Sequence, residues 1–138
     1  MNDKRAKSSV TIMIVIAISA LVLRITIERL IKINITQNES TAQGTLKLIS
    51  AALENYAKDR GGIFPVNPAV LTQTNPAYLD KDYITHSPIK GYNYSCSTLE
   101  PSGYNCSAMP VKCKLTGKMI YTVTTGGLFI SEECSKKE

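Results

Sequence analysis

The chain of 138 residues has no tryptophan, one histidine and two phenylalanines. A single histidine excludes a histidine-rich metal site, and a Ser-His-Asp centre would have to use His86. No two cysteines stand as CxxC, which argues against thiol redox chemistry and leaves zinc only an irregularly spaced set of four thiolates. No nucleophile stands beside a base and no glycine-rich phosphate loop occurs, so the chain does not read as an enzyme and no cofactor is expected. Helix breakers are scarce in the first part: Gly44 is the only glycine or proline between residues 8 and 60. Charge is missing altogether from residues 10–23.

Hydrophobic residues make up 43% and charged residues 20%, which excludes a fully disordered chain, and the length supplies a single core. Sixteen basic against 11 acidic residues give a formal charge of +5. Lys4, Arg5 and Lys7 stand against Asp3 in a basic leader, residues 1–9. Residues 61–138 hold seven lysines against six acids. That near balance is not the footprint of a nucleic-acid binder, and no nucleic-acid partner is expected.

Residues 10–23 read VTIMIVIAISALVL. As a helix they rise about 21 Å, short of the roughly 30 Å hydrocarbon core of a bilayer. Three readings compete: a buried soluble helix, a cleaved signal peptide with Ala-Ile-Ser-Ala at 17–20 as its cleavage site, and a retained membrane anchor. The basic flank and β-branched density speak against the first. The continuation ITIERLIKINI speaks for the third, because a signal peptide has no reason to run on as an amphipathic helix. Arg24, Glu28 and Lys32 fall at i, i+4 and i+8 on one face and can pair. Ile27, Leu30, Ile31 and Ile35 keep much of the rest apolar. Val10, Ile14, Ile16, Ile18, Leu21 and Leu23 then meet lipid, and Arg24 snorkels toward the head groups. The basic leader puts the N-terminus in the cytoplasm, which makes a single-pass protein.

Residues 41–60 repeat Ala42, Leu46, Ile49, Ala52, Leu53 and Tyr56 at helical spacing. Ser40 or Thr41 offers a cap for a helix restart, Glu54 is spaced to pair with Lys58, and Gly61-Gly62 ends the helix. One helix of about 50 residues follows if nothing breaks it, odd for a globular chain and natural for a membrane-rooted stalk. Pro65, Pro68, Pro76 and Pro88 mark residues 61–90 as a turn-rich connector, pinned by VLTQ and YLDKDYI. Residues 91–134 read as two hairpins, turning at Leu99–Ser102 and at Thr125–Gly127. The fold class is α+β: a long N-terminal helix, residues 10–35 in the membrane and the rest packed against a C-terminal four-stranded antiparallel sheet, within a head of residues 36–138.

Cys96, Cys106, Cys113 and Cys134 are an even set outside the membrane, which suggests two disulfides in an oxidising compartment. If the first hairpin turns around Pro101, residues summing to 202 are opposite. Cys96 then faces Cys106, Tyr94 faces Ala108 and Thr98 faces Tyr104, leaving Cys113 for Cys134. Four buried free thiols are the alternative. Other candidates are weaker. Asp80 and Asp82 can join Glu132 and Glu133 around calcium or form a solvated turn. Lys112, Lys114 and Lys118 can touch phosphate or acidic partners or line a solvated edge. His86 reads as a surface-loop histidine, and four Asn-x-Ser/Thr triplets carry no weight.

The order of these parts resembles the type IV pilins and the type II secretion pseudopilins. A basic leader precedes IVIAI at 14–18 inside an apolar helix. ALENYAKDRGGIFP at 52–65 is similar to the family's helix end, Leu-x-x-Tyr-x-x-Asp-x-Gly-x-(Tyr/Phe)-Pro, with one extra residue between Gly61 and Phe64. GYNYSCSTLEPSGYNCSAMPV followed by KMIYTVTTGGLFI resembles the family's C-terminal sheet. The resemblance implies a structural subunit stored in the inner membrane, its head in the periplasm or at the cell surface. It implies assembly with itself and with pilus or secretion machinery through the N-terminal helix. Four family features are missing. Aligning on IVIAI puts Ala6 at the cleavage glycine, Lys7 at the methylated aromatic residue and Thr11 at the glutamate, and the helix-melting proline is absent. Thr11 and the Arg24, Glu28, Lys32 row therefore stand as the assembly residues. A minor, tip or divergent subunit fits these departures better than a major pilin. The competing reading is a monomeric, membrane-anchored, disulfide-stabilised binding protein.

Overall fold

A computed structural model describes residues 3–135, with side chains from residue 7 onward. Helix α1 (Asp3–Asp59) is followed by a single helical turn, α2 (Val70–Gln73), and by strands β1 (Tyr92–Glu100), β2 (Gly103–Pro110), β3 (Met119–Thr124) and β4 (Leu128–Glu133). The long helix and the antiparallel sheet make the fold α+β, as the sequence predicts. The chain divides into two compact units at Asn34/Ile35.

In the first unit every side chain from Lys7 to Asn34 is exposed. The second unit holds the core. Helix α1 does not restart at Ser40 or Thr41 but continues through Gly44. From Ile35 on, its apolar positions turn inward: Ala42, Leu46, Ile49, Ala52, Leu53 and Ala57 are buried. The helix ends because Gly61 and Gly62 adopt left-handed backbone (φ +69° and +91°), a region open to glycine without a Cβ penalty. Gly62 N–H then reaches back to Ala57 O at 2.7 Å, the six-residue closure of a Schellman cap.

The four strands lie in the order β1-β2-β3-β4, all antiparallel. Their inner face presents Tyr92, Tyr94, Tyr104, Cys106, Ala108, Tyr121 and Val123 to α1. Phe64 packs edge-on against Tyr104 at 5.3 Å between ring centres. The connector is pinned by buried Leu71 and Leu79, with the N–H groups of Tyr78 and Leu79 both bonded to Leu71 O.

The first hairpin departs from the predicted register beside its turn. The loop has two residues, Pro101 and Ser102, with Glu100 opposite Gly103. A bulge at Ser97 then shifts the strand by one, so Thr98 faces Asn105, not Tyr104, while Cys96 faces Cys106 and Tyr94 faces Ala108. The disulfides join Cys96 to Cys106 and Cys113 to Cys134. No described cysteine is free.

Candidate membrane and assembly segment

The segment predicted to meet lipid is helical and unburied. Val10, Ile14, Ile16, Ile18, Leu21 and Leu23 are all exposed, Leu21 at 60%. The helix is long and apolar enough to cross a membrane. Its backbone groups are satisfied within the helix, as a hydrocarbon environment requires. The hydroxyls are satisfied as well. Thr11 Oγ1 donates to Lys7 O, Ser19 Oγ to Val15 O and Thr26 Oγ1 to Val22 O, each at 2.8 Å. A hydroxyl bonded one turn back spends its donor locally and tolerates an apolar surround. Thr11 therefore offers a neighbour no charge, and its proton is already engaged.

Arg24 and Glu28 form the ion pair expected of the polar row, Nε to Oε1 at 3.5 Å, on side chains 80% and 68% exposed. Lys32 follows one turn later. An exposed pair of this kind contributes little to stability in water, because solvent screens it and two flexible side chains must be held. Ile25, Ile27, Leu30 and Ile33 are exposed in the same stretch. Residues 24–33 thus carry charge and bare apolar surface together.

In the second unit the sequence reading missed the polar bonds that hold α1 to the sheet. Glu54 Oε1 does not serve a pairing with Lys58; it accepts from Gly126 N–H (2.6 Å) and from Tyr104 OH (2.9 Å). Ser50 Oγ lies 2.8 Å from the same Tyr104 oxygen. Glu39 Oε1 accepts Lys118 N–H (2.7 Å), Asn38 Nδ2 donates to Thr116 O (2.9 Å), and Gln43 Nε2 donates to Tyr121 OH (3.0 Å). One signal was available: a tyrosine on a strand that packs against a helix needs a partner for its hydroxyl wherever it turns inward, and the facing helix must supply it. Burial pushes the Tyr104 phenol up to about 12. Tyr92 is raised for the same reason and donates to Met119 O at 2.8 Å.

The weaker candidates are placed as follows. Asp80 accepts the Tyr83 hydroxyl, and Asp82 Oδ1 caps the N–H groups of Ile84 and Thr85 in a turn. Burial, the largest single influence, pushes the Asp82 carboxyl up, but the Thr85 side chain, these two N–H bonds and the nearby His86 together hold it below its usual range. His86 Nδ1 sits 2.7 Å from Asp82 O on an exposed loop. Glu132 and Glu133 end β4. No group of three or more His, Cys, Asp or Glu side chains converges among the described residues. Compared with protein-family models, with curated proteins and with solved structures, the chain matches none of them.

Proposed function

We propose that the protein is a pilin-like structural subunit, held in the membrane by residues 10–23 and assembled into a filament through α1. One observation carries the reading: 28 consecutive helical residues, Lys7–Asn34, are wholly exposed and largely apolar, on the same chain as a folded, disulfide-bonded head. Apolar surface on that scale must be removed from water. Lipid removes it while the subunit is stored. On extrusion from the bilayer, the matching helices of other subunits are the remaining apolar surround. The basic leader before the span supports a cytoplasmic N-terminus. The test is sedimentation of the full-length protein together with crosslinking through photoreactive residues at Ile18 and Leu30. Self-crosslinked, sedimenting filaments are expected. A protein that stays monomeric in the bilayer would instead be an anchored binding protein.

A further inference from the structure

The loop between β2 and β3, residues 111–118, reads VKCKLTGK. It lies against the first turns of α1 within the head, tied by the bonds from Asn38 to Thr116 O and from Lys118 N–H to Glu39. Lys112, Lys114 and Lys118 are exposed on it. Lys90 is exposed beside it, just before Gly91, whose carbonyl accepts Val111 N–H at 2.9 Å. Among these lysines Val111 and Leu115 stand out into solvent, Leu115 at 57%. An open groove lined by Met109, Ile120 and the Cys113–Cys134 bridge adjoins them.

This surface is fixed rather than loose. Thr116 N–H bonds Lys112 O (2.9 Å), Lys114 N–H bonds Gly117 O (2.7 Å), and the disulfide closes the loop onto the end of β4. Gly117 lies so close under the Tyr92 ring that a Cβ there would collide with it. Lys90 (φ +44°) and Lys114 (φ +66°) hold left-handed backbone, where glycine or asparagine costs less. Neither the core nor the predicted filament helix uses the outward leucine or the two left-handed lysines.

We propose that this loop is a lipid-docking surface. Lys90, Lys112, Lys114 and Lys118 meet the head groups of an anionic bilayer, while Val111 and Leu115 enter its interface. The inference rests on reading residues 10–23 as the membrane anchor. A cluster of lysines around exposed aliphatic side chains is the chemistry by which peripheral surfaces bind anionic lipid. The acids of this region are Glu39, already bonded to Lys118 N–H, and Glu132 and Glu133 on β4 opposite Ile120 and Met119. Connectivity selects the bilayer over an acidic protein. Residues 24–34 alone separate the proposed anchor from Ile35, where the head begins, so an anchored protein holds its head near the bilayer at high effective concentration.

The test uses the full-length protein in vesicles of phosphatidylcholine alone or with about 30% phosphatidylserine. Acetylation of each lysine is followed by mass spectrometry. Lys112, Lys114 and Lys118 should react roughly fivefold or more slowly in the anionic vesicles. Lys58 and Lys81 should not change, and high salt should remove the difference. Leu115→Ser should weaken the protection with the head's melting temperature unchanged. Flotation separates the two layers of the argument. Failure to float with either vesicle overturns the anchor reading and the docking with it. Flotation with equal lysine reactivity in both vesicles overturns the docking alone. Protection that follows protein density rather than lipid charge assigns the loop to contacts between subunits and also overturns it.

Discussion

Helix α1 makes the same kind of residue do opposite things in its two halves. Leu21 is 60% exposed and Leu46 is fully buried, yet both are leucines in one unbroken helix. Composition does not separate them; what each faces does. Beyond Ile35 the apolar positions recur at a spacing that meets one sheet face, and the intervening Glu39, Gln43, Ser50 and Glu54 each find a polar partner on it. Through residues 10–23 the apolar positions run all round the helix, and no single face could bury them. The head half is specified against a surface inside the chain; among the described residues no such surface covers the N-terminal half.

The largest contrast comes from one substitution made in both halves. Leu46→Ala should destabilise the head by about 2–5 kcal/mol, the cost of lost burial plus a cavity in a packed core. Leu21→Ala should leave the head's unfolding midpoint unchanged and weaken membrane retention or self-association. Denaturant unfolding in detergent, followed by tyrosine fluorescence, measures the first; flotation and sedimentation measure the second. Equal loss of head stability from both would break the division at Asn34/Ile35.

The disulfides come next. Removing the Cys113–Cys134 bridge by paired serine substitutions should cost about 2–4 kcal/mol. It closes the longer loop, 21 residues against 10, and ties the end of the chain to a loop with little sheet pairing of its own. Cys96–Cys106 joins residues already held opposite by the β1–β2 ladder, so its removal should cost less. Thermal melts of the two double variants decide the order.

That bridge also shows how far the sequence could be read. The Cys96–Cys106 pairing was legible, but partly because two offsets cancel. The turn is centred between Pro101 and Ser102, half a residue beyond the assumed centre, and the bulge at Ser97 restores the register. Nothing in the stretch Ser95-Cys96-Ser97-Thr98 marks Ser97 as the extra residue, since a bulge depends on how both strands twist. Helix, connector and strands were legible from periodicity, prolines and glycines. The partners of Glu54 were not, because the helix spacing offered Lys58 locally while the real partners, Tyr104 and Gly126, are remote in sequence. Of the candidate assembly residues, the Arg24–Glu28 pair was visible as a spacing, whereas the internal bond of the Thr11 hydroxyl needed the helix itself.

Smaller effects sharpen the head side of the contrast. Glu54→Ala removes the acceptor of two hydrogen bonds and should cost about 1–3 kcal/mol. Tyr104→Phe made in the same background should cost less than it does alone, because the two share one bond. The Tyr104 phenol adds an alkaline limit. Below about pH 10 it is neutral in folded and unfolded chains alike, so its contribution is fully present there. Above that the unfolded chain ionises, while the folded hydroxyl keeps its proton up to about 12. Head stability should therefore fall as pH rises through this interval, and less steeply in Tyr104→Phe. Gly44→Ala should act in the other direction. Gly44 is exposed within α1 and a Cβ there meets nothing, so the head should gain about 0.5–1 kcal/mol of helix propensity.

The change with the smallest effect on the head should have the largest effect on assembly. Glu28 lies in the first unit, exposed, and its pairing with Arg24 is worth little in water. Glu28→Lys should therefore leave the head's unfolding midpoint where it is. The charge-free run ends at Leu23, so the variant should still float with vesicles. What changes is the sign of the row. Glu28 is the only acid between residues 8 and 38, among Arg24, Arg29 and Lys32. With lysine there, every charge along residues 24–32 is positive. In a bundle of these helices the low dielectric between subunits magnifies like-charge repulsion. Filaments held by the matched helices should then fail to form. Sedimentation at equal protein concentration decides it: normal filaments from Glu28→Lys would show that the row sets no register. Recovery with Arg24→Glu added to Glu28→Lys would show that the balance of charge, rather than its order along the helix, is what neighbouring subunits read.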